Sequence, residues 1–487
     1  MHGREILGSS QASHHHQTSF AHRRIGWCEI GYYFHFSESS SAFAFGLLLL
    51  LLLHASLISL SRAEAAMIRT LGFSNYSVSA MKNQRPNVSE TEDLLAVFQR
   101  NTRSKTSTDG GEYSEPIPVD LLVDIFLRLP LKSIATSRCV SKLWASVLRL
   151  PYFTELFLTR PCALPRLLFS CLKDRHVHFF SSPEPQCLDK FSSPLTATYL
   201  MKIPYTSLRE RIIRCIRGLV FFIDERNVNG KKHQVSVICN PSTRQTLTLP
   251  KVKSRRRIGV RSYFGYDPID KQHKVLAMTW KFCGYPWSVS EEHQVLTLGT
   301  NKPSWKKIEC CIPHSPLYEY HNICINGVLY YQAVNKSSGE FIIVCFDVKS
   351  EKFSFVKDTD AKYGCGALIN YKGKLGSLLF RRCRKDADYG SIKLRLLEDA
   401  EKHEWSEHIF VLPASWQNIF QDTRLHVVKV TQTNEIVLAR SSCDVLYYNT
   451  ETNTIRKVAI HGMEEAFKND TGIVYASGDH VEDVKLI

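Results

Sequence analysis

The stretch EPIPVDLLVDIFLRLPLKSIATSRCVSKLWASVLRLPYF, residues 115–153, carries the densest structural pattern in the chain. Its first apolar residues recur at helical spacing and predict one buried stripe on a helix of about three turns: Leu121, Leu122, Ile125, Phe126 and Leu129. Pro118 suits the first helical turn, and Pro130 ends the helix. A second short helix is predicted from Lys132 to Cys139, and Ser141 is a natural N-cap for a third.

Three short helices within about 40 residues barely suffice for a hydrophobic core of their own. Their apolar surface exceeds what such a unit can bury, so part of it must be covered by another surface. The helical periodicity leaves two alternatives open: the helices dock on a separate protein, or they pack against the next domain of the same chain.

The residue pattern of this segment resembles the F-box, which runs I-P-x-D-L-x-x-E-I-L-x-R-L-P-x-K-S-L-x-R-F-R-x-V-S-K-x-W. The matching residues are Ile117, Pro118, Asp120, Leu121, Ile125, Arg128, Leu129, Pro130, Lys132, Ser133, Arg138, Val140, Ser141, Lys142 and Trp144. Asp124 replaces the usual Glu, which is a mild change. Thr136 and Ser137 replace the usual Arg-Phe pair. Because a fully buried Phe contributes about 1.5–3 kcal/mol, weaker adaptor binding is expected than in a typical F-box.

The resemblance implies that this segment binds a Skp-type adaptor and, through it, a cullin-RING ubiquitin ligase. By matching position, eight residues would supply the apolar anchors: Ile117, Pro118, Leu121, Ile125, Leu129, Pro130, Val140 and Trp144. Some of the eight must instead hold the helices together, and the sequence does not divide them.

From about Leu164 onward, short β-prone runs bounded by turn residues predict an all-β sandwich, barrel or propeller. Five turns are followed six or seven residues later by an apolar residue, and they recur about every 50 residues, as in kelch-type propeller blades. They begin at Asn240, Gly299, Asp347, Asp399 and Asn449. The spacing is irregular and the kelch double glycine is missing. Each turn is expected to join the two outer strands of a blade.

Several motifs of this half resemble, in the right order, the F-box-associated (FBA) interaction domain, type 3, of plant F-box proteins. They include GYDPIDKQHKVLAM at 265–278, ICINGVLYY at 323–331, FDVKSEKF at 346–353 and YYNTETNTIRKVAI at 447–460. The resemblance extends from about Leu164 to Gly462 and implies a surface that captures the protein to be ubiquitinated. It assigns no target-contacting residue. The predicted fold is therefore α+β multidomain, with a three-helix F-box at 112–160 and an all-β, propeller-like (kelch-like) domain at 164–480.

The sequence contains no motif that indicates catalysis, a cofactor or a metal site. The 19 histidines form no H-E-x-x-H, and no C-x-x-C, G-x-S-x-G, P-loop or G-x-G-x-x-G occurs. Asp267, in GYDP, is interpreted as a turn residue. Cys310 and Cys311 are interpreted as a plain pair on an edge strand. No catalytic residue, cofactor or metal is predicted, and the chain is expected to be a non-enzymatic receptor.

Composition describes an ordinary globular protein, with 44% hydrophobic and 22% charged residues. The net charge of +15 is spread along the chain without a nucleic-acid motif, so no nucleic-acid partner is predicted. The 15 cysteines show no disulfide framework, which favours a reducing compartment.

The N-terminal extension, residues 1–111, is expected to be mostly disordered but contains an uncharged apolar run at 42–60. Three interpretations compete: a membrane anchor, a cleaved signal, or an upstream extension unrelated to function, with Met67 or Met81 as the working start. The F-box disfavours the signal, because its adaptor is cytosolic or nuclear. The extension is preferred. An anchor would require residues 67–487 to lie in the cytosol.

The leading functional hypothesis is a substrate-recognition subunit of an SCF-type (Skp-cullin-F-box) E3 ubiquitin ligase, located in the cytoplasm or nucleus. The alternative is a membrane-anchored β-rich binding module with a vestigial F-box and no ligase role. A glycan-binding or enzymatic propeller ranks third. The target protein remains unidentified from the sequence.

Overall fold

A computed structural model describes most of the chain beyond the N-terminal extension. The described residues are 118–160, 166–185, 194–206, 213–228, 231–253, 258–281, 292–300, 302–317, 322–359, 366–381, 390–412, 425–439, 444–463 and 474–486. The predicted extension at 1–111, its apolar run at 42–60, and Ile117 lie outside them. Among the described residues, no helix is long and apolar enough to cross a membrane.

The described chain begins with four helices: α1 (Val119–Leu127), α2 (Leu131–Ser137), α3 (Lys142–Val147) and α4 (Pro151–Thr159). The hydroxyl of Ser141 accepts a hydrogen bond from the backbone N–H of Trp144 at 3.1 Å, which confirms the predicted N-cap. The three predicted helices are present, and a fourth follows them. Pro151 at the first turn begins α4, whose Phe153 is fully buried and needs the core that the other helices provide.

The described strands form six antiparallel sheets, the blades of a propeller. Blade 1 contains β1 (Arg166–Lys173), β2 (His176–Pro183), β4 (Thr198–Pro204) and the C-terminal strand β26 (Val474–His480), in the order β26-β1-β2-β4. Blade 2 contains β5 (Arg214–Ile216), β6 (Leu219–Val228), β7 (Lys231–Asn240) and β8 (Gln245–Thr248). Blade 3 contains β9 (Ile258–Asp267), β10 (Gln272–Lys281), β11 (Glu292–Thr297) and β12 (Lys306–Ile308).

Blade 4 contains β13 (His314–Pro316), β14 (Asn322–Ile325), β15 (Val328–Asn335), β16 (Phe341–Asp347) and β17 (Lys352–Lys357), and both β13 and β14 pair with β15. Blade 5 contains β18 (Ala367–Tyr371), β19 (Lys374–Arg381), β20 (Ser391–Asp399) and β21 (Glu404–Val411). Blade 6 contains β22 (His426–Val430), β23 (Glu435–Ala439), β24 (Asp444–Asn449) and β25 (Thr454–His461). A two-residue strand, β3 (Leu195–Thr196), pairs in parallel with β25. The predicted propeller is confirmed.

The hydrophobic core is divided into layers between neighbouring blades. Six clusters of buried side chains each combine residues of two adjacent blades, and together they run around the whole ring. Two tryptophans connect an outer strand to the preceding blade. Trp305, just before β12, donates its indole N–H to the carbonyl of Pro250 after blade 2, at 2.8 Å. Trp405, on β21, donates its indole N–H to the carbonyl of Lys357 in blade 4, at 3.3 Å. The apolar residue of the sequence repeat therefore joins successive blades.

The repeated turns join the outer strands of blades 2 to 6, as predicted. In four of them the first side chain accepts backbone N–H groups within the turn; these residues are Asn240, Asp347, Asp399 and Asn449. The residue four positions later has a positive φ, for example 58° at His403 and 51° at Asn453. A hydrogen-bonded side chain at the first position and a left-handed residue at the fifth thus define the turn without the kelch glycines.

Asn240 allows the turn to be tested, because its amide also donates to the carbonyls of Asp483 (3.0 Å) and Lys485 (2.9 Å). Asn240→Ala leaves these buried acceptors and the turn N–H groups unpaired, so we expect a loss of about 2–4 kcal/mol in the free energy of unfolding. Chemical denaturation followed by tryptophan fluorescence measures it. Asp399→Ala is the control, since Asp399 bonds only within its exposed turn. An equal loss in both variants would contradict the role assigned to the Asn240 amide.

Candidate partner-binding site

The helical module, residues 118–160, has an aromatic core. The ring of Phe126 contacts Trp144 and Phe153 edge-on, with centroids 5.1 Å and 6.3 Å apart. Ile134, Val147, Leu148 and Phe157 are buried beside them. Because the helices are short, this cluster supplies most of what holds them together.

The structure separates the apolar anchors that the sequence could not divide. Ile125, Leu129 and Trp144 are buried within the module, with 7%, 5% and 6% of their surface exposed. Pro118 and Pro130 are exposed, and Leu121 and Val140 are half-buried, so a partner can reach these four. Ile117 lies outside the described residues.

Further apolar side chains are half-buried in the module, among them Leu127, Leu131 and Leu143. The helical period alone does not distinguish them from core positions, because their burial depends on how the helices cross. Ser137, which replaces the usual Phe, is only 3% exposed, whereas Thr136 is exposed. The aromatic ring that Ser137 lacks would therefore lie in the interior of the module, and its absence affects the packing of the helices more than their outer surface.

The module is attached to the propeller by ion pairs from α4. The carboxylate of Glu155 lies 3.8 Å from the guanidinium of Arg217 and 3.5 Å from the ammonium of Lys271. Arg217 lies in the β5–β6 turn and Lys271 in the β9–β10 turn, so one carboxylate contacts two blades.

Asp267 accepts the N–H of Ile269 within the β9–β10 turn, in agreement with its interpretation as a turn residue.

The C-terminal tail, residues 481–486, provides a second attachment. Arg138 of the F-box pattern donates to the carbonyl of Val484, and Arg160 pairs with Glu482 at 3.4 Å. The tail is in turn held by the Asn240 amide of blade 2. The structure thus confirms one of the two sequence alternatives: part of the module packs on the chain's own propeller, while another part stays open. Docking on a separate protein stays a prediction.

Asp483 gives the tail a pH dependence. Burial raises the pKa of this carboxyl from its ordinary value of 3.8 to about 6, although the N–H of Lys485 donates to it at 2.7 Å. The folded state therefore keeps the proton in a pH range where the unfolded chain has lost it. The free energy of unfolding therefore falls as pH rises from about 4 to about 6. Above that range the folded state bears the full cost of burying an ionised carboxylate.

Asp483→Asn removes this penalty and retains an oxygen that accepts from Lys485. We expect the variant to be more stable than the parent chain at pH 7.5, by up to about 3 kcal/mol, and equally stable near pH 4. Denaturation midpoints across this pH range measure the difference. Asp399→Asn serves as a control of opposite sign, because hydrogen bonds lower the pKa of Asp399. A constant difference between Asp483→Asn and parent at all pH values would refute the assignment.

A second feature escaped the sequence interpretation. His293, Cys310 and His314 lie together between blades 3 and 4, with one ligand atom of each within 4.8 Å of the others. The chain from 309 to 313 is a connection between β12 and β13, so the expected placement of Cys310 and Cys311 on an edge strand was wrong. The only sequence signal was the Cys-x-x-x-His spacing, because His293 comes from a separate strand.

Comparison with protein-family models identifies both parts of the chain. Residues 116–156 match the F-box domain, and residues 166–481 match the F-box associated beta propeller domain. The first match covers the helices that carry the open apolar residues. The second covers all six blades up to the tail.

Similar proteins occur in Arabidopsis thaliana. F-box protein DOR is 49% identical over 418 residues, which cover 84% of this chain and 100% of that protein. F-box protein At5g65850 is 48% identical over 417 residues, covering 84% of this chain and 99% of that protein.

A solved structure of another protein shows remote likeness to this chain. An α-L-arabinofuranosidase of Fusarium graminearum aligns with a TM-score of 0.33 at 13% identity, over 49% of this chain and 77% of that one. This similarity is too weak to carry an argument about function. The family matches and the relatives establish the conclusion: the chain belongs to the F-box proteins that carry an F-box-associated β-propeller.

Proposed function

We propose that this protein is a substrate-recognition subunit of an SCF-type E3 ubiquitin ligase. The helical module docks on a Skp-type adaptor, and through it on a cullin-RING ligase, while the propeller binds the target protein. The observation that carries the proposal is the division of the F-box residues. Pro118, Leu121, Pro130 and Val140 remain accessible, although the module is already attached to its propeller.

The accessible set has the chemistry of a protein-binding surface, because it combines exposed prolines with half-buried aliphatic side chains. Leu127, Leu131 and Leu143 extend the apolar area. Ile125, Leu129 and Trp144 act indirectly, since they hold the helices that present this surface. Interfaces of this kind draw most of their affinity from a few apolar anchors.

The propeller offers its other side to the target. The module and the tail lie against the turns that hold Arg217, Ser242 and Lys271, which open on one side of the blades. Strands alternate in direction within each blade, so the second and fourth strands end on the opposite side. Binding residues are commonly carried at one end of a rigid scaffold.

The mechanism is positional. Two ion-paired blade turns and a hydrogen-bonded tail fix the module relative to the propeller, so a bound target is held at a defined distance from the ligase. Raising the effective concentration of target and charged ubiquitin accelerates transfer without bond chemistry in this chain. The receptor needs no catalytic residue or cofactor for this role. Several described cysteines are free thiols, which agrees with a reducing cytoplasm or nucleus: Cys139, Cys239, Cys310, Cys311, Cys324 and Cys345.

Adaptor capture tests the proposal. Full-length chain is incubated with a purified plant Skp-type adaptor, and the dissociation constant is measured by surface plasmon resonance. Leu121→Asp and Val140→Asp place a charge on the accessible apolar surface, so we expect each to weaken binding at least about tenfold, the equivalent of about 1.4 kcal/mol. These substitutions are preferable to Trp144→Ala, which removes a ring from the module core.

Ile409→Asp is the matched control, because Ile409 is 59% exposed on the outer strand of blade 5. It should bind the adaptor like the parent chain. Failure of the parent chain to bind any Skp-type adaptor would remove the ligase role. Proximity labelling in cells with the ligase blocked then identifies the target, and enrichment of adaptor without any further protein would argue against a target receptor.

A further inference from the structure

The cluster of His293, Cys310 and His314 joins two blades. His293 lies on β11, the third strand of blade 3, while His314 begins β13 and pairs with Asn335 of blade 4. Cys310 lies on the connection between these blades. We propose that these three side chains bind one zinc ion, which links blade 3 to blade 4.

The donor set suits zinc. Two imidazole nitrogens and one thiolate are ligands that Zn²⁺ accepts in tetrahedral sites, leaving a fourth position for water. Ligand bonds of 2.0–2.3 Å put neighbouring donor atoms about 3.3–3.8 Å apart. Sγ of Cys310 already lies 3.8 Å from Nδ1 of His314, and all three donors lie within 4.8 Å. Small side-chain rotations therefore suffice to close the site.

His293 supplies an independent indication. Its ring is only 6% exposed, and its Nε2 is buried without a hydrogen-bond partner among the described residues. An unpaired buried nitrogen costs free energy, and a metal ion would offset that cost. The rings of His293 and His314 lie close together, with centroids 5.3 Å apart.

His314 has contacts that can orient a metal ligand. Its Nε2 lies 2.8 Å from the hydroxyl of Tyr331, which lies 3.5 Å from the sulfur of Met278. With zinc on Nδ1, the Nε2–H donates to Tyr331, and the tyrosine hydroxyl donates to Met278. Outer hydrogen bonds of this kind fix the tautomer of metal-binding histidines. Nδ1 of His314 lies 2.8 Å from the carbonyl of Ile312, which also accepts from Cys310 at 3.5 Å, and zinc binding would replace this contact of Nδ1.

The protonation states agree with this arrangement. Burial and the neighbouring His314 lower the pKa of His293 to about 4, and burial lowers the pKa of His314, so both imidazoles are neutral at pH 7. Burial raises the pKa of the Cys310 thiol to about 11. Zinc binding must displace this proton: the S–H bond breaks, an S–Zn bond forms, and one proton passes to the buffer.

The test uses full-length chain, stripped with a chelator, reloaded with Zn²⁺ and desalted, followed by metal analysis by mass spectrometry. We expect about one zinc per chain in the parent, in Cys311→Ser and in His408→Gln, where His408 is an exposed histidine of β21 in blade 5. Cys310→Ser and His293→Gln should retain less than about a tenth of that amount, with unchanged circular dichroism. Tyr331→Phe should weaken binding about 10–100-fold, as the loss of an outer hydrogen bond does elsewhere.

Cobalt provides a readout on the parent chain itself, which does not depend on how the variants fold. Parent chain loaded with Co²⁺ should show intense tetrahedral visible bands and a sulfur-to-cobalt charge-transfer band, and Cys310→Ser should lack the latter. Calorimetry in two buffers should show one proton released per zinc. A parent chain that binds no zinc, an octahedral cobalt spectrum, or equal loss of metal in Cys310→Ser and Cys311→Ser would overturn the proposal.

Discussion

Closure of the ring is the constraint on which the rest of this structure depends. The C-terminal strand β26 pairs with β1, so the two ends of the propeller sequence meet in blade 1. A second contact lies nearby, where the short strand β3 pairs in parallel with β25 of blade 6. Directly after β3, the N–H of Ala197 donates to the carbonyl of His461 at 2.8 Å. Each layer of buried side chains lies between two neighbouring blades. Closure of the ring brings blade 6 against blade 1 and so completes the last of these layers.

The same strand also connects the ring to the F-box. Immediately after β26 the chain becomes the tail, which contacts Arg138 and Arg160 of the helical module and the Asn240 amide of blade 2. Gly218 makes this approach possible, because a Cβ there would lie 2.5 Å from that of Asp483. The F-box helices are therefore supported by the element that closes the propeller, and a defect in closure would disturb both.

Burial gives the F-box residues different tasks. Within one sequence pattern, Trp144 packs on Phe126, Arg138 contacts the tail, and Pro118 stays exposed. The buried positions determine whether the module exists, and the exposed ones determine what it can bind. The cluster of His293, Cys310 and His314 follows a similar logic in the propeller, since it lies where the chain passes from one blade to the next.

The sequence by itself determined the local elements: helices from the apolar period, the Ser141 cap, and the five outer turns from their Asn, Asp and Gly residues, because these depend on neighbours within a few positions. The tertiary structure decided the number of blades and the presence of the fourth helix. It also decided which F-box residues are buried and which are accessible, and it placed Glu155 beside Arg217 and Lys271. It likewise brought His293 together with Cys310 and His314. These features depend on contacts between residues distant in sequence, and an apolar period states that a face is buried without stating what covers it.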